Sequence, residues 1–419
     1  MPHIAGYSLI GIIEAYIATE YGSIYWRTAS LSVDAGVQGD EFGSVDYTKL
    51  SRAVANSKSL INLPDVNHSE IGFVPKNNRI LFGLGAISGI GINDINSIIE
   101  NRPYKSLDDF VDKNKDNFST KKMLILIKSG LFHEFNSSTK SLAVDYIYKN
   151  TPRKKKLTTV QLPKIINDVP DEFMEAKKLY LFKSKVFGRN AISDNKEIEK
   201  EFFDNWKSKD IKYDYVDGEI NIDKKSMDNI FNKISEPMKE WLKTSDAIEI
   251  LAKVDMRELW IKEMQGNEAS WYFSTLSYYP FEHQLKNTGI VDDLNIRSFY
   301  SLPVDGTKIG NRKKYEKTSL AGTVISKNIK GVIDIITTDN EVVSVRVGKD
   351  NYSKYNKKIM EGNGKDRKVK SDSFFNRGET LLFVGYRRMN DFIANNYGTG
   401  YEEPVMKIIG YNNFTLEVR

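Results

Sequence analysis

Between Ile80 and Arg102 an apolar run, ILFGLGAIS, breaks at Gly89-Ile90-Gly91 and resumes at once as Ile92, Ile95, Ile98 and Ile99 at helical spacing. This pattern predicts two short helices joined by a tight glycine hairpin. Glycine admits a positive φ and lets another molecule approach the backbone closely. The turn residues Ser88, Gly89, Ile90 and Gly91, with Asn93 at the start of the second helix, would present N–H groups to an anion, which the helix dipole also favours. Such a turn grips nucleic-acid backbone without reading its sequence. The same pattern also describes an αα-hairpin that only packs on its neighbours, and the hairpin alone leaves both readings open.

The surrounding sequence reads as a compact helical domain. Ser106 is a fitting N-cap for a helix carrying Leu107, Phe110 and Val111. Another helix starts at Thr120 and carries Lys121, Lys122, Met123, Leu124 and Ile127 to Gly130, a C′ glycine. Lys121 and Lys122 are candidates for phosphate contact, or simply the wet face of an amphipathic helix. Upstream, residues 4–32 form one helical stretch or two, and Ile10, Ile13, Tyr16, Ile17 and Ile24 make a large apolar surface. Either another polypeptide covers that surface, or the helix folds back on Tyr47, Leu50, Val54 and Leu60. Residues 63–82, with Pro64, Gly72 and Pro75, read as extended and loop-like.

With 419 residues, 40% hydrophobic and 11% aromatic, the chain has room for several domains with real cores. Zero cysteines fit a reducing cytosol. Four histidines and no cysteine exclude the usual zinc clusters and any cysteine nucleophile. There is no Ser/His/Asp signature, no Walker loop and no dinucleotide fingerprint. Glu14, Glu20 and the lack of a basic start speak against a signal peptide or membrane span at the N-terminus. The densest acidic stretch, Asp214, Asp217, Glu219 and Asp223, lacks EF-hand order and reads as a polar turn between two short strands, with a metal site as the alternative. Thr151 to Thr159 is a basic, proline-containing segment without apolar periodicity, read as a linker.

Charge is uneven. Residues 307–419 hold 21 Lys and Arg against 13 Asp and Glu, an excess of +8, whereas the whole chain is +5. In that basic region Leu320–Ile325, Val332–Thr337 and Val342–Val347 alternate as strands, a helix-like piece follows at Tyr352–Met360, and Thr380–Arg387 and Val405–Tyr411 complete five strands around a loop at Glu361–Ser373. Five strands with a helix between the third and fourth is the order of a five-stranded OB barrel. Such barrels stack single-stranded bases on aromatics in a basic groove. Lys327, Lys330, Arg346, Lys349, Tyr386, Arg387 and Arg388 are the candidates here. The alternative is that the aromatics fill the barrel and the basic residues keep it soluble.

Several motifs stand in a recognisable order. LPDVN-x-SE covers Leu63 to Glu70, FGL-x-AI-x-GIG covers Phe82 to Gly91, R-P-Y-K-S-L-x-D-F covers Arg102 to Phe110, and Leu126 to Phe132 reads LIKSGLF. The order resembles the replicative DNA polymerase III alpha subunit of bacteria and their phages, family C. The resemblance is close over about residues 3–135, faint around Glu263 to Leu285, and carried by pattern from about Thr318 onward. His3, Ala5 and Tyr7 match a fingers segment of that family, where Met1-Pro2 replaces the usual Lys-Ser. Trp271 to Phe281 lies where the family reads Gly-Phe-Tyr-Leu-Ser-Gly-His-Pro-Leu; Pro280 matches, and Tyr279 stands at the histidine position. This aromatic cluster reads as a packing hub.

The resemblance implies a multidomain α+β architecture. Its expected parts are a helical fingers remnant at 1–62, a helix-hairpin-helix duplex-binding domain at 63–150, the basic linker at 151–159, a divergent mixed connector at 160–306 and the OB barrel at 307–419. It places His3 and Tyr7 near an incoming nucleotide. The family's palm, with three metal-binding aspartates, has no counterpart in these residues. The expectation is therefore a split, phage-encoded polymerase whose catalytic residues and Mg²⁺ sit on a companion chain, this chain having no catalytic or metal-binding residue of its own and acting in the bacterial or infected-host cytosol. The sliding clamp is a further partner of the family, but its peptide, a glutamine followed by Leu or Met and Phe, has no convincing copy upstream of Trp271. The other reading is a stand-alone, non-enzymatic DNA-binding replication or repair accessory.

Overall fold

The computed structural model of the chain describes residues 2–20, 22–38, 41–42, 45–57, 60–115, 117–188, 194–286, 288–310, 312–362, 368–410 and 415–418. Two compact units emerge, one from residues 1–144 with 266–419 and the other from residues 145–265. The expected boundary at 306/307 is therefore not where the units divide: 266–306 belongs with the first unit.

In the first unit the N-terminal apolar stretch forms two helices, α1 (Pro2–Glu20) and α2 (Ser23–Ala35), separated at Gly22, whose φ of 87° breaks helical continuity. It is α2, through Leu31 and Ala35, that packs on α3 (Tyr47–Ser57), which buries Leu50 and Val54. Helix α1 leaves Leu9, Ile10, Ile12, Ile13 and Tyr16 exposed. Next come three short strands, β1 (Ile61–Asn62), β2 (Val74–Lys76) and β3 (Arg79–Leu81), with β3 in the middle, parallel to β1 and antiparallel to β2.

The helical domain follows as α4 (Ile92–Glu100), α5 (Leu107–Lys113), α6 (Thr120–Lys128) and α7 (Thr139–Asn150). Ser106 caps α5 by accepting from the Asp109 N–H at 3.1 Å, and Gly130, at φ 75°, follows the last turn of α6. Ile95, Ile98, Phe110, Leu124, Ile127 and Phe132 close the core. The sequence motifs around it are clips. Asn67 and Tyr104 exchange two hydrogen bonds, Asn67 Nδ2 to the Tyr104 carbonyl at 2.9 Å and the Tyr104 N–H to Asn67 Oδ1 at 2.8 Å. Arg102 donates to the Val66 carbonyl at 2.7 Å.

The second unit packs helices Met174–Phe187, Asn195–Asn205, Lys224–Ile234 and Ser245–Glu263 around Leu179, Phe182, Phe202, Met227 and Phe231. Its acidic stretch is the hairpin Tyr213–Val216/Glu219–Ile222, turning at Asp217 and Gly218, both at positive φ. Segment 151–159 is not a free linker: Leu157 is buried in this core and its N–H donates to the Leu242 carbonyl at 3.2 Å.

The first unit resumes with α8 (Glu268–Leu276), which buries Trp271, Tyr272, Phe273 and Leu276, followed by Tyr278 and Tyr279. The packing hub expected from the sequence is here. Tyr278 stacks on Phe82 with centroids 5.7 Å apart, yet its buried hydroxyl has no partner among the described residues, and burial pushes its pKa up. A buried unpaired hydroxyl carries a desolvation cost of about 1–3 kcal/mol. Tyr278→Phe is therefore expected to raise stability by about 1 kcal/mol, read as a higher denaturation midpoint.

The remainder is a barrel. Strands β4 (Thr318–Asn328), β5 (Val332–Thr337) and β6 (Val342–Arg346) precede α9 (Lys349–Tyr355); β7 (Thr380–Arg388), β8 (Asp391–Ala394), β9 (Val405–Ile409) and β10 (Thr415–Glu417) follow. The closed order is β4-β5-β6-β8-β7-β4, antiparallel except for β6 with β8. This is the OB order, filled by Leu320, Ile333, Val343, Val345, Phe383 and Phe392. The fifth barrel strand is Asp391–Ala394, not Val405–Tyr411. Met389, at φ 53°, turns the chain straight back after Arg388, and β9 instead lies beside Leu381–Phe383 on the edge of β7 that β8 leaves free. Helix α9 ends at Tyr355, and the expected loop contains a hairpin, Ile359–Glu361 with Lys368–Ser371.

Candidate nucleic-acid interface

The turn forms as its glycines predict, but the expected helix before it is only a single 3₁₀ turn, Leu84–Ala86. Gly89 has a φ of 90°, and a Cβ there would sit 3.0 Å from Ile125 Cδ1. Ile90 is buried, so only its backbone can meet a ligand; Gly89, Gly91 and Asn93 are exposed and Ser88 is half-buried. Three of the expected donors are already engaged, one of them the Ile90 N–H, which donates to the Ile87 carbonyl at 3.4 Å. The Ser88 N–H donates to the Thr275 carbonyl at 2.8 Å, and the Gly91 N–H to Asp94 Oδ2 at 2.9 Å. Among the described residues the N–H groups of Gly89, Ile92 and Asn93 meet no acceptor, as at any uncapped helix start. Lys122 is held on Asp94 Oδ1 at 2.7 Å, whereas Lys121 is exposed on α6. The sequence did not disclose Asp94, which both ties back the turn and anchors Lys122.

The barrel candidates separate into different surroundings. Lys330 and Lys349 are exposed. Arg346 pairs with Asp391 at 2.6 Å. Lys327 donates to Asn356 Oδ1 at 2.7 Å, and burial pulls its pKa below the usual lysine value. Arg387 turns inward: it is 9% exposed, its guanidinium lies 4.6 Å from the Phe299 ring centroid, and it donates to the carbonyls of Phe299, Tyr300 and Leu302, each at 3.2 Å. Its guanidinium is thus engaged at one end of the barrel. Tyr386 and Arg388 point the other way, outward. There Tyr386 stacks on Tyr315 at 4.6 Å with Lys317 over its ring, a grouping the sequence reading missed because Tyr315 and Lys317 precede the first alternating run.

His3 and Tyr7 lie in α1 by backbone, but their side chains fall outside the described residues. Among the described residues, no helix is long and apolar enough to cross a membrane.

A helix-hairpin-helix packed in one unit with an OB barrel defines a multidomain DNA-binding segment. The helix-hairpin-helix motif family matches residues 59–142. A probable DNA polymerase of Bacillus subtilis strain 168 and a DNA-directed DNA polymerase of Bacillus phage SPbeta are each 30% identical to the chain over 428 residues, covering 94% of it and 33% of their own length. The DNA polymerase III alpha subunit of Chlamydia muridarum is 32% identical over 165 residues, 37% of this chain and 12% of its own. The chain thus spans about a third of the length of the first two relatives. Over these stretches the chain is similar to DNA polymerases, DNA polymerase III alpha subunits among them, and together with the helix-hairpin-helix match this supports a polymerase-related DNA-binding role.

Proposed function

We propose that this chain is the DNA-holding part of a split, phage-encoded replicative polymerase, gripping duplex through the hairpin and single-stranded template through the barrel. The observation that carries the reading is the start of α4, where the N–H groups of Gly89, Ile92 and Asn93 stand ready for a phosphate with Lys121 exposed on the neighbouring helix. Nucleotidyl transfer would be performed by palm aspartates and Mg²⁺ on a companion chain. Asp65, His68 and Glu134 bring ligand atoms together here, but Asp65 Oδ1 already accepts the N–H groups of Asn67 and His68, and the trio does not fit a three-aspartate palm. No catalytic step is therefore placed on this chain.

The exposed Leu9, Ile10, Ile12, Ile13 and Tyr16 of α1 support a partner polypeptide over a stand-alone accessory role, because contiguous exposed apolar surface marks an interaction site. In the assembled enzyme His3 and Tyr7 would approach the incoming nucleotide, in the bacterial or infected-host cytosol. The test is to tag the chain in its native cells, recover it after nuclease treatment and assay the eluate on a primed template. A large partner in near-equal amount, with primer extension that disappears on separation, is the expected result. A lone chain that binds DNA without extending it would establish the accessory role instead.

A further inference from the structure

Five-stranded barrels of this order receive oligonucleotides on the face of their second and third strands. Here that face is closed. Asp334 on β5 accepts Arg52 of α3 at 2.5 Å, Ser326 at 2.7 Å and Ser344 at 2.6 Å, so α3 lies across it and its central group is a carboxylate. A polyanion would have to displace the helix and meet a negative charge.

The outer face of β4 and β7 offers the opposite conditions. Lys317 stands across from Tyr386, its ammonium 4.6 Å from the ring centroid, and donates to Asn395 Oδ1 at 2.9 Å. Tyr386 backs Tyr315 in a near-parallel stack, 21° between planes. Next outward on β7 is Arg388, exposed, and the hairpin Thr307–Ile309/Arg312–Lys314 leads into Tyr315 with Lys308 and Lys314 exposed. The loop that begins at Asn395 carries Tyr397, 88% exposed, and borders a cleft of about 330 Å³ lined by Arg297, Lys317, Thr318, Ser319, Thr399 and Tyr401. Acidic groups are present and engaged: Glu316 pairs with Arg297 at 2.6 Å, and Asp305 with Lys313 at 3.1 Å. Rings flanked by cations beside a polar cleft are the elements of a single-strand platform, in which bases stack and phosphates meet lysine or arginine.

We propose that single-stranded DNA runs over this outer face, with bases stacking on Tyr397 and on the Tyr315 ring and phosphates meeting Lys314, Lys317 and Arg388. The site rests on the reading that the barrel holds single strands, and it moves the strand from the covered β5–β6 face to the other side of the barrel.

The experiment uses the full chain and a fluorescein-labelled dT oligomer longer than the roughly 16 nucleotides one such barrel spans. Tyr315→Ala with Tyr397→Ala is expected to weaken binding by about tenfold or more, the effect of losing one to two stacked bases. Lys314→Gln with Arg388→Gln is expected to lower the slope of log affinity against log salt by about 1.4, the release of two single-strand phosphate contacts. Lys330→Gln with Lys349→Gln, exposed candidates outside this patch, should weaken binding less than Lys314→Gln with Arg388→Gln does. Because Tyr397 is almost fully exposed, Tyr397→Ala alone keeps the test open if the double variant melts early. Parent-like binding by both patch variants, or a greater loss from the Lys330/Lys349 pair, would overturn the site while leaving single-strand binding intact. A parent chain that fails to bind dT even at low salt would overturn the underlying reading with it.

Discussion

Gly91→Asp is expected to cut duplex affinity by about tenfold or more while leaving the fold within about 0.5 kcal/mol of the parent. Gly91 is the N-cap of α4 with φ −101° and ψ 169°, an extended backbone open to any residue, and a Cβ there would meet nothing nearer than Asp94 Oδ2 at 3.6 Å. Aspartate is a good N-cap, so its carboxylate would accept the open N–H groups at the start of α4 and occupy the place of the phosphate. Gly89→Asp acts differently. With φ at 90° and Ile125 3.0 Å away, it adds about 1–2 kcal/mol of backbone strain to the same added charge. The measurement is fluorescence anisotropy with a blunt duplex and, separately, with dT. Loss on the duplex alone places the contact at the hairpin. Equal loss on both probes from Gly91→Asp would show that the start of α4 is not where duplex is held.

What the sequence disclosed was whatever is written in neighbouring residues. The glycine turn with the helix after it, the Ser106 cap, the Gly130 terminator and the first four barrel strands each occupy a short window with its own periodicity, and each formed. What it hid depends on residues far apart. Arg52 and Asp334 are 282 positions apart, so nothing near either one announces that α3 closes the barrel face. Arg387 and Arg388 read alike in a basic run, yet strand alternation sends one into the barrel end and the other to solvent. The fifth strand is hard to see in the sequence because Asp391–Ala394 is only four residues long, whereas Val405–Ile409 has the longer apolar run but only an outer edge to join. Lys122 looked like its neighbour Lys121 until Asp94, on another helix, claimed it.

The adjacent arginines give the other large expected effect. Arg387→Ala removes a guanidinium that serves the carbonyls of Phe299, Tyr300 and Leu302, along with the Met389 carbonyl at 2.9 Å. Hydrogen bonds to a charged donor contribute about 1.5–3 kcal/mol each, and water entering the opened barrel end restores part of the loss. A net destabilisation of about 2–4 kcal/mol is expected, seen as an earlier melting transition by differential scanning calorimetry. Arg387→Lys should recover only part of it, because an ammonium can serve the three carbonyls that Nη1 alone now serves but cannot also reach the Met389 carbonyl that Nε serves. Below its transition the alanine variant should bind dT as the parent does. Arg388→Gln should show the reverse, an unchanged melt with weakened and less salt-sensitive dT binding. Weak dT binding by a fully folded Arg387→Ala chain would instead mean that this guanidinium leaves the barrel end to meet the strand, and the two arginines would then share one role.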